Sequence, residues 1–386
     1  MKTQMTQKIF TRDFILVFIA QFTLQFVFNI LIPTLPIYLS RLGESEVETG
    51  ILIGAFFFSS LILRPFVGKA LLKIPEKAFM ITGALLYGFT SVAFIFTPPF
   101  WPFLIVRFIQ GIGFALFHTA SYTLVANISP EARRGQVLSY FLLAANLSGA
   151  LAPPIGIFLI DYFSFTSLFL VCLGLSLCSL FIAMRLKERK VIPSKDSSGG
   201  GAFLISREAL SPSVIHAIAL FIWGALTAFF PLYSIHQGVA NPGLFFTTIA
   251  VMLFLGRALG GKIVDFYSKE SIILPCLSTY IISMVLLAFS KSQAMFILVA
   301  VIWGTGHAFF SPAIMAHILD RVGSPGPAMG TLTAVTDLGI SLGPVLMGIV
   351  LHSTSYPTMF LCLAFIGVIN LNSFYFFVRK KGKRGT

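Results

Sequence analysis

Arg64-Pro65-Phe66-Val67-Gly68-Lys69 returns 193 residues later as Arg257-Ala258-Leu259-Gly260-Gly261-Lys262. Downstream, Gly111-Ile112-Gly113-Phe114-Ala115-Leu116-Phe117 returns at the same offset as Gly304-Thr305-Gly306-His307-Ala308-Phe309-Phe310. Upstream, Pro36-Ile37-Tyr38 returns two residues out of step as Pro231-Leu232-Tyr233. Three matches in one order point to a duplicated half. A duplicated apolar bundle is the plan of many secondary transporters, because a site between two related halves can open to alternate sides of a membrane.

Hydrophobic residues make up 56% of the 386-residue chain, charged residues 11%, and the mean hydropathy is +0.91, outside the range of soluble domains. Apolar runs able to cross a bilayer fall at about 14–39, 47–72, 78–97, 100–127, 136–160, 165–184, 212–235, 243–266, 271–290, 294–319, 327–351 and 356–378. The expectation is an all-α integral membrane protein of twelve transmembrane helices. Six spans per half is an even number, so the second half enters from the same side as the first and the two bundles are parallel repeats. The N-terminal bundle is expected over 1–184, a cytoplasmic linker over 185–211 and the C-terminal bundle over 212–386. The linker is charged and then rich in Ser and Gly, as a flexible connection would be.

The net charge of +13 could indicate a nucleic-acid partner, but its placement excludes that reading. With both termini on one side, that side carries 22 Lys and Arg against two, Arg41 and Lys291, on the other. This is the positive-inside pattern of a multi-pass protein of the cytoplasmic (inner) membrane, with both termini cytoplasmic. The first apolar run is too long for a cleavable signal sequence and no small-residue cleavage site follows it. The four Cys lie within spans without metal-ligand spacing, and no phosphate-cradling loop for ATP is present.

Arg107-Phe108-Ile109-Gln110-Gly111 is similar to the RxxQG motif of helix 4 in the major facilitator superfamily. Gly149-Ala150-Leu151-Ala152-Pro153-Pro154-Ile155-Gly156 resembles the helix 5 motif of its antiporters, and Gly339-Ile340-Ser341-Leu342-Gly343-Pro344 its second-half counterpart. The helix 2–3 loop motif is degraded: Gly68 is kept, but Leu72, Pro75 and Glu76 replace its Asp, second Gly and Arg, while the second copy keeps Gly261 and Asp265. Over nearly its whole length the chain resembles this superfamily, and in particular its proton-coupled drug and metabolite exporters. The resemblance implies that helices 1, 4, 7 and 10 line a central cavity. It also implies that helix 2 packs on helix 11 and helix 8 on helix 5, between halves that rock.

Polar groups in a span are costly, an ionisable one ~2.5–3.5 kcal/mol at the bilayer centre, so they should face the bundle interior or water. Gln21, Gln25 and Asn29 recur every four residues on helix 1; helix 4 carries Arg107, Gln110 and His118. Helix 7 carries Trp223 and Thr227, and helix 10 carries Trp303, His307 and Ser311. Each set is one helical face, and each is a candidate cavity lining, with interhelical bonding as the competing role for the amides and hydroxyls. His118, His307 and Asp337 are the candidates for proton coupling. His216, His236, His317 and His352 lie near expected helix ends and read as interfacial. None of the fourteen acidic residues falls inside helices 1, 4, 7 or 10, which favours an anionic, zwitterionic or neutral amphipathic solute over an organic cation.

The expected function is secondary transport of a small-molecule solute by alternating access in a lipid bilayer, as proton-coupled efflux by a monomer with no cofactor beyond the proton gradient. Uptake as a symporter or uniporter stays open, and so does a non-transporting membrane sensor or scaffold. No Ser/His/Asp set, paired carboxylates or metal cluster argues for an enzyme. The repeat also pairs positions across the halves. Asp337 lies seven residues before Pro344 and Asn146 seven before Pro153, while Arg64 matches Arg257. Arg64 and Asp337 differ in depth by only about 3 Å. An Arg64–Asp337 ion pair and an Arg257–Asn146 hydrogen bond, with Asp265 nearby, are therefore expected to latch the bundles on the cytoplasmic side in the outward-open state.

Overall fold

The computed structural model describes residues 10–98, 100–130, 133–187, 206–239, 241–320 and 325–379, with backbone alone for 134–135, 139, 257–266, 319, 325–327 and 377–379. Twelve α-helices follow in order: α1 Arg12–Arg41, α2 Glu46–Ala70, α3 Glu76–Phe96, α4 Trp101–Ile128, α5 Arg134–Tyr162, α6 Phe165–Met184, α7 Arg207–His236, α8 Gly243–Phe266, α9 Lys269–Phe289, α10 Gln293–Leu319, α11 Pro325–Ser353 and α12 Tyr356–Ser373. Eleven are long and apolar enough over their described residues to cross a bilayer, and α8, at 24 residues, has the length. We call the side where α6 ends and α7 begins the linker face, and the opposite side the far face.

Serine starts many of these helices. Its hydroxyl accepts a backbone N–H of the first turn at Ser45, Ser164, Ser206, Ser268 and Ser292. Ser45 and Glu48 form a reciprocal capping box. The Ser206 cap corrects the expected boundary: α7 starts at Arg207, inside the stretch assigned to the linker. At the other end, α12 gives way to a π-helical turn over Phe374–Arg379, with Phe374 buried.

Packing within the two halves follows one pattern. α1 lies against α5 and α6, α3 against α4 and α6, and α2 against α4; six helices on, α7 lies against α11 and α12, α9 against α10 and α12, and α8 against α10. Single bonds repeat as well. Ser179 Oγ of α6 donates to Ala20 O of α1 at 2.9 Å, and Asn370 Nδ2 of α12 donates to Ile215 O of α7 at 3.0 Å. The α3–α4 bond from Asn127 Nδ2 to Glu76 Oε1, 2.6 Å, recurs 193 residues on as the Lys269–Asp320 ion pair, 3.2 Å.

Between the halves run two matching seams, α2 on α11 and α8 on α5, while α1 meets α7. In one seam a Cβ on Gly50 would lie 2.3 Å from Pro344 O; in the other a Cβ on Gly243 would lie 2.7 Å from Pro153 C. Gly50 and Gly243 are repeat equivalents, as are Pro344 and Pro153. Each seam is crossed by one hydroxyl: Ser341 Oγ donates to Gly54 O at 3.2 Å, and Thr247 Oγ1 to Ala150 O at 2.7 Å. Here the equivalent positions exchange roles, the donor lying on α11 in one seam and on α8 in the other. The close glycine contacts of both seams lie in the far half of the molecule. Among the described residues α4 and α10 share no packed face.

Contacts this close make some glycines irreplaceable and leave others free. A Cβ on Gly111 would meet Ser59 Oγ at 2.0 Å and Phe56 O at 2.2 Å, whereas one on Gly174 meets nothing within 4 Å. Gly111→Val is expected to lower the thermal unfolding temperature in detergent, costing roughly 1–3 kcal/mol by overpacking. Gly174→Ala should leave it unchanged or raise it, since Ala is the better helix former.

Candidate solute site and proton path

In the first half the polar stripes turn inward and bond to one another. Gln21 Nε2 donates to Gln25 Oε1 at 3.4 Å, and Ser121 of α4 donates to Gln21 Oε1 at 2.8 Å. Asn29 Nδ2 donates to Ser148 Oγ of α5 at 2.8 Å. Arg107 is 4% exposed and Gln110 fully covered. The Arg107 guanidinium hydrogen-bonds Gln110 Oε1 and lies 4.4 Å from the centre of the Phe56 ring, a cation–π arrangement. Arg107 Nε, Gln110 Nε2 and the nearby Tyr87 hydroxyl have no hydrogen-bond partner. His118 is half-buried, its ring 4.9 Å from Phe114 and 4.5 Å from Tyr122.

The second half carries a different chemistry. Trp223 of α7 stacks on Trp303 of α10 at 4.8 Å, and Trp303 stacks on His307 at 4.7 Å. Trp303 is 1% exposed and its indole N–H has no partner; Thr227 is turned onto its own helix, donating to Gly224 O at 2.7 Å. Around His307 the side chains join in a line. Tyr280 Oη lies 2.6 Å from His307 Nδ1, and His307 Nε2 lies 3.5 Å from Ser311 Oγ. Ser311 Oγ is 3.2 Å from His216 Nε2, and His216 Nδ1 is 2.9 Å from Thr336 Oγ1.

Asp337 follows Thr336 on α11 and faces the other way, toward α2. Arg64 Nη1 lies 2.6 Å from Asp337 Oδ2. The contact is made through Arg64 Nη1, and Arg64 Nε has no hydrogen-bond partner among the described residues. Arg64 also sits 5.9 Å from the centre of the Phe114 ring. In the other seam the side chains of Arg257 and Asp265 lie outside the described residues, and so does the expected Arg257–Asn146 hydrogen bond. At the far-face rim a cavity of about 350 Å³, which the sequence does not signal, opens between the halves beside Arg41, Asp161 and Val239.

The Major Facilitator Superfamily description matches residues 17–326 and 242–386 of the chain. The chain belongs to the major facilitator superfamily. It is 24% identical over 358 residues to the staphylopine export protein of Staphylococcus aureus, covering 86% of this chain and 88% of that one. It is 23% identical over 356 residues to the quinolone resistance protein NorA of Staphylococcus aureus, covering 86% and 89%. Among solved structures, a nucleoside transporter, NupG, superposes with a TM-score of 0.82 at 14% identity, covering 94% of this chain and 99% of that one. The human organic anion transporter MFSD10 superposes with a TM-score of 0.69 at 16% identity, covering 94% and 98%. This major facilitator protein is a multi-pass membrane transporter, and not an enzyme.

Within that fold several expectations change. Gln21, Thr227 and Trp303 are covered here, as Arg107 and Gln110 are, and are bonded or stacked against neighbours. His216 is not interfacial: it is buried nine residues into α7, between α10 and α11. His317 is also buried, with Nδ1 3.4 Å from Glu270 Oε1 and its ring 5.8 Å from Phe374. His236 and His352 are exposed at helix ends, the latter 3.2 Å from Glu46. Asp337 lies twelve residues, about 18 Å, from the start of α11, deeper than a rim latch. Its pair with Arg64 forms while the far-half seams are tightly closed, and not in a state open on that side.

Removing one partner of a fully buried ion pair costs ~3–5 kcal/mol; this pair should fall below that range, because Arg64 keeps 26% side-chain exposure. Arg64→Gln and Asp337→Asn are each expected to lower thermal stability in detergent. The double variant should lose little more than either alone, and the exchange Arg64→Asp with Asp337→Arg should recover part of the loss. Additive losses in this cycle would show that the two groups act independently.

Proposed function

We propose that this transporter exports a small anionic, zwitterionic or neutral amphipathic solute in exchange for protons, with the linker face in the cytoplasm. The observation that carries the solute class is Arg107. Its guanidinium is buried beside Gln110, Phe56 and Tyr87, and no carboxylate is paired with it among the described residues. A buried cation without a counter-charge is expensive, and an anionic or dipolar solute reaching it would relieve that cost. Neighbouring donors on Gln110 and Tyr87 have bonding capacity to spare. For an organic cation the same pocket would be repulsive.

Efflux is supported by the staphylopine export protein among the relatives, and the cytoplasmic placement of the linker face by its excess of Lys and Arg. In this conformation the far-half seams are closed and α4 stands apart from α10, as in a state that takes up solute from the linker face. Rocking about the seams would then open the far side. His118, His307 and Asp337 are the proton-binding candidates on this reading.

The test is transport by purified protein in proteoliposomes, with a carboxylated anionic dye, a zwitterionic fluoroquinolone and the cationic dye ethidium as probes. The anionic or zwitterionic probe is expected to accumulate when a pH gradient is imposed, and ethidium not. An uncoupler should abolish the accumulation, and so should Arg107→Ala at normal expression and stability. An active Arg107→Ala variant would remove the assignment of solute class. Transport indifferent to the gradient would replace exchange with facilitated diffusion.

A further inference from the structure

His216 has no role in the reading above, yet it is the fourth of five side chains in a hydrogen-bond line that crosses the second half. Tyr280 on α9, His307 and Ser311 on α10, His216 on α7 and Thr336 on α11 follow one another at 2.6, 3.5, 3.2 and 2.9 Å. Counted from the linker-face ends of their helices, the five lie eight to twelve residues deep. At 1.5 Å per residue that is a layer about 6 Å thick. The line therefore runs sideways across the half, and not along the membrane normal.

Both histidines present Nε2 to the same hydroxyl. We infer that His216 and His307 share one excess proton through Ser311, and that this proton moves positive charge from α10 to the α7–α11 contact. With His307 protonated, its Nε2–H donates to Ser311 Oγ and Ser311 donates its own proton to the bare Nε2 of His216. Transfer breaks the N–H bond at His307 Nε2 and forms one at His216 Nε2; Ser311 gives up one proton and takes one. His307 is left neutral with Nδ1–H toward Tyr280, and His216 becomes an imidazolium with Nδ1–H toward Thr336. Both end states keep every link of the line occupied, the condition for a proton relay without an unpaired intermediate. Among the described residues, titratable groups facing the line include Tyr280 and Cys276 on α9 and, across α11, Asp337 with Arg64.

The destination gives the relay its purpose. α11 bears Thr336 toward His216 on one face and Asp337 toward Arg64 on the other. A charge arriving on His216 stands about one helix packing distance, roughly 8–10 Å, from that carboxylate, and competes with Arg64 for it. Protonation of the second half thereby loosens the ion pair that joins the halves, a coupling between proton occupancy and rocking. This rests on the proton-exchange reading of the previous subsection.

The test is 15N-histidine solid-state NMR of the full chain in lipid bilayers across pH, with signals assigned from His216→Gln and His307→Gln. The two side chains are expected to titrate as a coupled pair. Ser311→Ala should split them into independent titrations, and Ser311→Thr, which keeps the hydroxyl, should restore the coupling. A His216 that stays neutral in one tautomer while His307 titrates, indifferent to Ser311→Ala, would overturn the relay. In proteoliposomes with the anionic dye, the ratio of accumulation with and without a pH gradient should fall toward one in Ser311→Ala and recover in Ser311→Thr. A gradient-independent wild type would remove proton exchange but leave the NMR coupling standing, whereas uncoupled titrations would remove the relay and leave exchange standing.

Discussion

A guanidinium and a carboxylate 2.6 Å apart, Arg64 on one bundle and Asp337 on the other, set the terms for the rest of this molecule. In hydrocarbon neither charge is tolerable alone, so each bundle carries a group that needs its partner bundle. Toward the far face the backbones of α2 and α11 come together at Gly50 and Pro344 closely enough to exclude a methyl group. Packing thus fixes where the bundles touch, and the ion pair adds a term that a shift of charge can change. An interface of this kind can hold two arrangements close in energy, which alternating access requires.

The two halves share a framework but divide the chemistry. Interhelical bonds and seam glycines recur at repeat-equivalent positions, because they answer the common demand that helix backbones approach and polar groups find partners within the protein. The interiors have diverged. The first half stacks Phe28, Phe56 and Phe114 near Arg107, a surface with aromatic faces and one buried cation. The second half stacks indole on indole on imidazole and continues into hydroxyls and a second histidine. On the proposed reading, the first half would hold a solute group and the second a proton.

Much of the framework was legible in the amino-acid order. Twelve apolar runs and a one-sided excess of Lys and Arg needed only composition and period. Equivalences between halves came from a nearly constant offset, and counting from the helix ends put Arg64 and Asp337 at similar depth; the gating role of that contact is a proposal. What the order concealed was rotation about each helix axis. Gln21 and Asn29 bond Ser121 and Ser148, partners a hundred residues or more away whose facing depends on helix packing. His216 was misplaced for a local reason: the Ser206 cap adds about five residues to the start of α7 and carries His216 from the rim into the interior. A signal was available, since His216 lies seven residues before Trp223 and eleven before Thr227, on the same helical face.

α11 has both of its long sides committed. Gly339 and Gly343 press on the carbonyls of Ala217 and Phe221 in α7, while Pro344 and Gly348 press on Gly50 and Glu46 in α2. One residue inserted between Asp337 and Pro344 would turn everything beyond it by about 100° and strip both sides at once. The helix can therefore change by substitution but not by length. Its counterpart α5, held between α1 and α8, is under the same restriction. That explains why the seven-residue interval from Asp337 to Pro344 matches the interval from Asn146 to Pro153 although the residues around it have drifted apart: the spacing is a relic of the ancestral duplication, preserved by geometry after the chemistry at its ends had changed.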